Sequence, residues 1–280
     1  MEDCAVVERL RQFHGGDGVP LLLDLVPSSP LEAWRSHRAR LSSWLNAVPD
    51  SQWSGQTRCS LWDVTALVRH LASGSQFLGY TLHKARQRTT TSLLKDFDPQ
   101  ETPKARAELL GELSPQAARD SMAAMDARLG DELAEGSVAG WPALAEAPSG
   151  NVPAHVAVAH FLFDSWVHEY DLMIPRGALP VVEELEVQVV LTYLMGLASV
   201  ITGSTTALDV RVTDLPIQVG VSVANGFVHV EVGSTPGSAS VIEGAALDIV
   251  DRTTARGGQQ LAGDPSGLAV LDAFGRLMAG

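Results

Sequence analysis

The sequence predicts an α+β protein of two domains: an antiparallel four-helix bundle over residues 1–178, followed by a small α+β domain over residues 179–280. Three observations lead there. Up to Ile174 the apolar residues recur at helical spacing between Ser-Pro starts and proline stops. After Pro175-Arg176-Gly177 the pattern changes to short alternating runs with a hairpin turn. At 280 residues the chain is also long for a single core.

Taken in order, residues 1–28 read as a short helix or frayed arm bearing Val6, Val7 and Leu10, then a loop opened by Gly15-Gly16-Asp17-Gly18. Ser29-Pro30-Leu31-Glu32 places a cap, a proline at the first helical position and a capping-box acid ahead of the first long helix. Leu31, Trp34, Leu41, Leu45 and Val48 form its stripe, and Pro49 ends it. A polar loop over 50–59 leads to Ser60, read as the cap of a second helix with Asp63 three residues on. Val64, Leu67, Val68, Leu71, Ser75 and Leu78 are its buried face, with His70 at the edge. Thr89 to Glu112, polar and interrupted by Pro99 and Pro103, is expected to be a long connection with at most one weak turn. Ser114-Pro115 opens a third helix with the stripe Met122, Met125, Leu129, Leu133. Gly136 to Pro153 reads as loop, and a fourth helix runs from about Val152 to Ile174. Helices two and four can face each other across such a bundle.

In the second part, Pro180 to Gly203 is expected to be a long buried helix. Its apolar run contains Gln188, Thr192 and Tyr193 and ends near Ile201, short of the ~20 residues a bilayer needs. Alternation at Leu208-Val210-Val212, Ile217 to Val223 and Val228 to Val232 predicts strands, with Asn225-Gly226 as a hairpin turn. A further strand at Ser240–Ile242, a helix near Ala245–Arg252 and a last helix capped by Asp264-Pro265 complete the domain.

Composition narrows the partners. A net charge of −13, with 20 Lys and Arg that form no basic run, excludes nucleic acid and disfavours anionic membranes, leaving a small-molecule substrate. Two cysteines, Cys4 and Cys59, make neither a disulfide framework nor a Cys-x-x-Cys knuckle, and the acidic start lacks the features of a signal peptide. Both point to the cytoplasm. Gly233 to Gly237 lacks the spacing and lysine of a phosphate loop, and no Gly-x-Ser-x-Gly occurs.

The candidate site is Asp164-Ser165-Trp166-Val167-His168. On a helix, Asp164 and His168 lie one turn apart on one face and can share a divalent metal, with His70 on the facing helix as third ligand. The same residues can equally be polar groups at the core edge that satisfy one another. His160 falls on the same stripe and reads as ligand, outer partner or surface group. Glu169 or Asp171 can orient the imidazole of His168. His155 reads as structural and His229 as solvated. Cys59, ahead of a helix, is either a reactive thiolate or a packed loop residue.

Thr57-Arg58-Cys59-Ser60-Leu61-Trp62-Asp63-Val64, followed by Arg69-His70, resembles the DinB-like, mycothiol-dependent maleylpyruvate isomerase family, whose members show Thr-x-Cys-Pro-Gly-Trp-x-Val before a metal-binding histidine. Asp164, His168 and Asp171 match its second signature, with Asp164 in place of the usual Glu and Ser60-Leu61 in place of Pro-Gly. The resemblance covers about residues 30–175 and, more faintly, a sterol-carrier-like C-terminal domain. It implies a divalent metal, usually zinc, on His70, Asp164 and His168. It also implies a low-molecular-weight thiol such as mycothiol as nucleophile on a small electrophile, in transfer, thiol exchange or cis-trans isomerisation. Arg252, in Asp251-Arg252 after an apolar helix, is carried over as an anion clamp. Two other readings stay open from sequence: a non-catalytic ligand-binding or regulatory protein of the same fold, and a metallohydrolase that activates water on the same ion.

Overall fold

The structure is a computed structural model describing residues 21–23, 29–60, 62–95, 97–98, 101–134, 144–233, 237, 239–258 and 261–278. The arm expected over residues 1–20 lies outside them. Helix α1 (Ser29–Ala47) buries Trp34, Leu41 and Leu45 as its stripe requires, and with them His37 and Arg38. Helix α2 (Val64–Arg86) buries all six apolar-face residues expected of it, and His70. It begins three residues later than expected. Asp63, not Ser60, is the cap, its carboxylate accepting from Ala66 N at 2.8 Å. Ser60 instead sits in a turn whose carbonyls at Cys59 and Ser60 accept from Gln56 Nε2.

The connection after α2 contains an eight-residue helix, α3 (Glu101–Glu108), that the prolines had argued against. Pro103 falls in its first turn, where the missing N–H has no intrahelical partner to lose, and Asp98 caps it by accepting from Glu101 N. Helix α4 (Pro115–Ala134) buries Met122, Leu129 and Leu133, with Met125 half-buried. The described part of the expected loop 136–153 is a small hairpin, β2 (Ala145–Ala147) with β3 (Gly150–Val152). Helix α5 (Ala154–Met173), buried for most of its length, then gives way to a 3-10 turn over Ile174–Arg176 that contains Pro175. Helices α1, α2, α4 and α5 form the bundle, with α2 against α4 and α1 against α5.

Helix α6 (Glu184–Thr202) is long and apolar enough to cross a membrane, but 83% of that stretch is buried inside the protein. It packs on α5 and α1 on one side and on the sheet on the other. Gly203, at φ 63°, ends it in the left-handed conformation that glycine adopts without cost. The sheet comprises β4 (Leu208–Val212), β5 (Gln218–Ala224), β6 (Phe227–Val232), β7 (Ser240–Gly244) and β8 (Ala262–Gly263), with helices α7 (Ala246–Thr253) and α8 (Pro265–Met278). Asn225-Gly226 forms the predicted hairpin, pairing Ala224 with Phe227.

A sixth strand was not expected. Leu21–Leu23, called β1, lies parallel to β6 at the sheet edge, giving the order β1-β6-β5-β4-β7-β8. The N-terminal segment thus crosses into the C-terminal sheet. A core running through Leu162, Tyr170, Val190, Val210 and Phe274 is continuous between helices and sheet, and a second one fills the space between α1, α2 and α4.

Candidate metal centre

The loop 57–62 and helix α5 build the site together. Thr57 Oγ1 donates to the Trp62 carbonyl at 2.8 Å and receives Cys59 N, closing a tight turn, while Arg58 N donates to the Asp171 carbonyl. That turn presents Trp62 against both imidazoles, with ring centroids 4.9 Å from His70 and 6.1 Å from His168.

The three residues expected to hold a metal do converge. His70 Nε2 lies 3.0 and 3.2 Å from the Asp164 carboxylate oxygens, and His168 Nε2 lies 3.5 Å from Asp164 Oδ1. One ligand atom from each falls within 4.8 Å of the others. Asp164, though a methylene shorter than Glu, reaches both rings. Burial opposes its charge, but the two imidazoles hold its carboxyl well below the usual range. Burial also works against a charged His168, yet Asp164 and the hydrogen bond to Asp171 raise its pKa well above the usual value.

Behind His168, Nδ1 donates to Asp171 Oδ2 at 2.9 Å, which leaves Nε2 to face Asp164 and His70. Asp171, not Glu169, is therefore the orienting carboxylate. It is fully buried and held by Arg58 at 2.9 Å and by Arg256 at 2.8–3.0 Å. Its own burial is outweighed by His168 and Arg256, so it stays ionised far below the usual carboxylate range.

The donor set fits a divalent ion. Two imidazoles and one carboxylate, with an outer carboxylate behind one imidazole, are ligands of zinc type that leave coordination positions open. Nδ1 of His70 is buried without a hydrogen-bond partner, so His70 lacks the outer support that His168 has. Cys59, His168 and Asp171 form a second convergent group, with Cys59 Sγ 3.2 Å from Asp171 Oδ2 and 3.8 Å from His168 Nδ1. There the lone pairs of Asp171 are already taken by two guanidinium groups, whose charge repels a cation. Of the two groups, the first has its carboxylate free of any guanidinium among the described contacts and fits a cation better.

The ligands open into a cavity of about 510 Å³ lined by the bundle, α6, α8 and the end of α7. With that geometry in place, comparison with known proteins is informative. Residues 34–173, half of the chain, match the family described as the mycothiol maleylpyruvate isomerase N-terminal domain. The chain belongs to this family. Two solved structures share its fold: a mycothiol-dependent maleylpyruvate isomerase at 20% identity and a histidine-to-alanine variant of it at 19%. Each has a TM-score of 0.62 and covers 87% of this chain and 95% of its own. No curated protein sequence matches the chain.

Within this maleylpyruvate isomerase family member, the other expected residues separate. Arg252 does not line the cavity. It is bidentate to Asp272 of α8, at 2.7 and 2.8 Å, on the wall of a separate, open depression. From this part of the chain the cavity takes Arg256 instead, three residues beyond the end of α7. Ala255, with φ 58°, turns the chain back so that Arg256 reaches Asp171 and comes within 3.6 Å of Cys59 Sγ. No local pattern marks that turn, because Ala is not a residue that favours positive φ. His160 lines the cavity, but Nδ1 bonds Tyr193 Oη at 2.8 Å and it falls outside the ligand group. Burial lowers its pKa to about 4, so it is neutral. His155 is half-buried and His229 exposed.

Proposed function

We propose that this protein is a metal- and thiol-dependent enzyme: His70, Asp164 and His168 hold a divalent ion, zinc by donor type, and a low-molecular-weight thiol of the mycothiol kind reacts with a small electrophile in the adjoining cavity. The observation that carries the reading is the convergence of these three side chains, all aimed at one point on the cavity wall. A bound zinc ion would stabilise a thiolate near neutral pH and so supply a nucleophile that no protein residue has to provide.

The remaining work falls to the chain itself. The Nδ1 proton of His168 stays on the side of Asp171, so its Nε2 lone pair is directed at the ligand group. Arg58 and Arg256 fix Asp171 and keep it charged, and Arg58 also bonds Asp251, tying the bundle to α7. Trp62 covers the two imidazoles and shields them from solvent. The unpaired Cys59 and a thiol cofactor both suit a reducing cytoplasm.

The test is chelation and reconstitution. The protein as purified should hold about one equivalent of divalent metal, lose thiol-consuming activity when stripped, and regain it on adding zinc. Full activity in the stripped protein would refute the proposal.

A further inference from the structure

The connection between α2 and α4 brings to the cavity a cation that the metal centre does not use. Arg106, in the last turn of α3, lines the cavity half-buried, with Cζ 4.4 Å from the centre of the Phe77 ring. That contact sets the charge against a π face and gives the guanidinium N–H groups no acceptor atom. Among the described residues, every other buried or half-buried arginine donates to a carboxylate or a backbone carbonyl, and Arg106 donates to neither. Burial lowers its pKa from the ordinary arginine value, opposed only by the field of Glu146, whose Oε1 accepts from Leu94 N at 2.6 Å. The chain thus spends desolvation on this charge and returns no ion pair for it.

The other charges around the cavity are engaged or exposed. Arg58 and Arg256 are taken up by Asp171 and Asp251, Asp164 faces the two imidazoles, and Glu101 and Lys104 stand in solvent on α3. Arg106 is also held in place. Arg69, the residue before His70, donates to the Ala107 carbonyl at 3.1 Å and fixes the last turn of α3 on α2. Phe77 lies seven residues beyond His70, a rise of about 10 Å along α2. The buried wall of the cavity adds Phe163, Leu197, Ile201 and Phe274 to Phe77.

We propose that Arg106 is a specificity residue of this cavity: its N–H groups pair with a carboxylate on a ligand whose apolar body lies on the aromatic and aliphatic wall, about 10 Å along α2 from His70. The planar fork of a guanidinium matches the two oxygens of a carboxylate, and the pair returns the desolvation that Arg106 meets alone. The anionic end of the ligand is thereby assigned to α3, not to the arginines that hold Asp171. The assignment concerns the same cavity as the metal–thiol reading but needs neither the ion nor the thiol.

Calorimetric titration of the full-length protein with 4-phenylbutanoate and with its neutral counterpart 4-phenylbutanamide tests it, once zinc-loaded and once after chelation. In both states the carboxylate should bind at least about tenfold more tightly than the amide. Arg106→Gln should remove that preference, weakening the carboxylate at least about tenfold and the amide less than about twofold, and Arg106→Lys should restore part of it. Lys104→Gln, at the exposed rim, should leave it unchanged. Should Arg106→Gln not fold, Arg106→Met keeps a contact with Phe77 without the charge and takes its place. No binding of either compound, no preference in the parent protein, a preference that survives loss of the Arg106 charge, or one seen only with zinc bound would overturn the inference. So would an equal loss of both compounds, the mark of a merely structural contact with Phe77. An Arg106-dependent preference in the chelated protein leaves the inference standing even where that protein keeps full thiol-consuming activity and the metal–thiol reading falls.

Discussion

Two faces of helix α5 bear the same residue types and reach opposite ends. On one, Asp164 and His168 meet His70 beside a cavity. On the other, Glu169 is bonded by Arg40 and lies 3.4 Å from His37, and Glu186 of α6 closes the cluster through the same Arg40. Histidines and carboxylates are buried in both. In the second, a guanidinium already bridges both acids and His37 Nε2 is taken by Ser165 at 2.8 Å, so the cluster is closed on itself. In the first, no lysine or arginine bonds Asp164 among the described contacts, and the imidazoles alone balance it. What separates a site from a structural cluster is therefore not residue type or burial, but whether a cation already occupies the centre and whether a cavity reaches it.

Breaking each face should separate stability from metal binding. Arg40→Ala leaves Glu169 and Glu186 buried without their guanidinium and should cost about 3–5 kcal/mol by chemical denaturation, while the folded fraction keeps its metal stoichiometry. His168→Ala should do the opposite. Metal affinity should fall by at least about 100-fold, more than loss of an outer partner usually costs, with the metal-free fold retained in circular dichroism. Equal loss of metal in both variants would erase the distinction.

A pH series sharpens it. In the metal-free protein the pKa of His168 is raised, so its contribution to stability is fully present below about 6.5 and is lost as pH rises through the raised folded value. That of Glu169 is lowered below the usual 4.5, so its contribution is present above that value and lost as pH falls through the folded one. Difference curves against His168→Ala and Glu169→Gln should therefore slope in opposite senses. Because a metal must displace the proton on His168, zinc affinity should also fall with acidification, by up to about tenfold per pH unit. The smallest effect is expected at Arg252→Ala. Its bridge to Asp272 is partly solvent-exposed and lies outside the cavity, so stability should change by at most about 1 kcal/mol and thiol-dependent activity by less than twofold.

The helical bundle was legible because its signals are local: Ser-Pro starts, proline stops and 3.6-residue stripes that α1, α2 and α4 bury for the most part. The meeting of Asp164 and His168 with His70 was legible for the same reason, since Asp164 and His168 share one helix face. What escaped depends on distant pairing. Strand β1 forms because β6, some two hundred residues on, offers a free edge. Arg58 and Arg256 matter through Asp171, on a third element, and His37 and Arg38 are buried only because Ser165 and Asp126 wait for them. The eight residues of α3 were hidden by Pro103, which suits a first turn as well as it ends a helix.

The central claim is that His70, Asp164 and His168 hold a divalent ion with room for a thiol. Cobalt substitution followed by titration with a small thiol tests it most directly. A sulfur-to-cobalt charge-transfer band should grow in the near ultraviolet to one equivalent of thiol in the parent protein and be absent in His168→Ala. Stoichiometric cobalt with no such band, or the same band in the variant, would contradict the account.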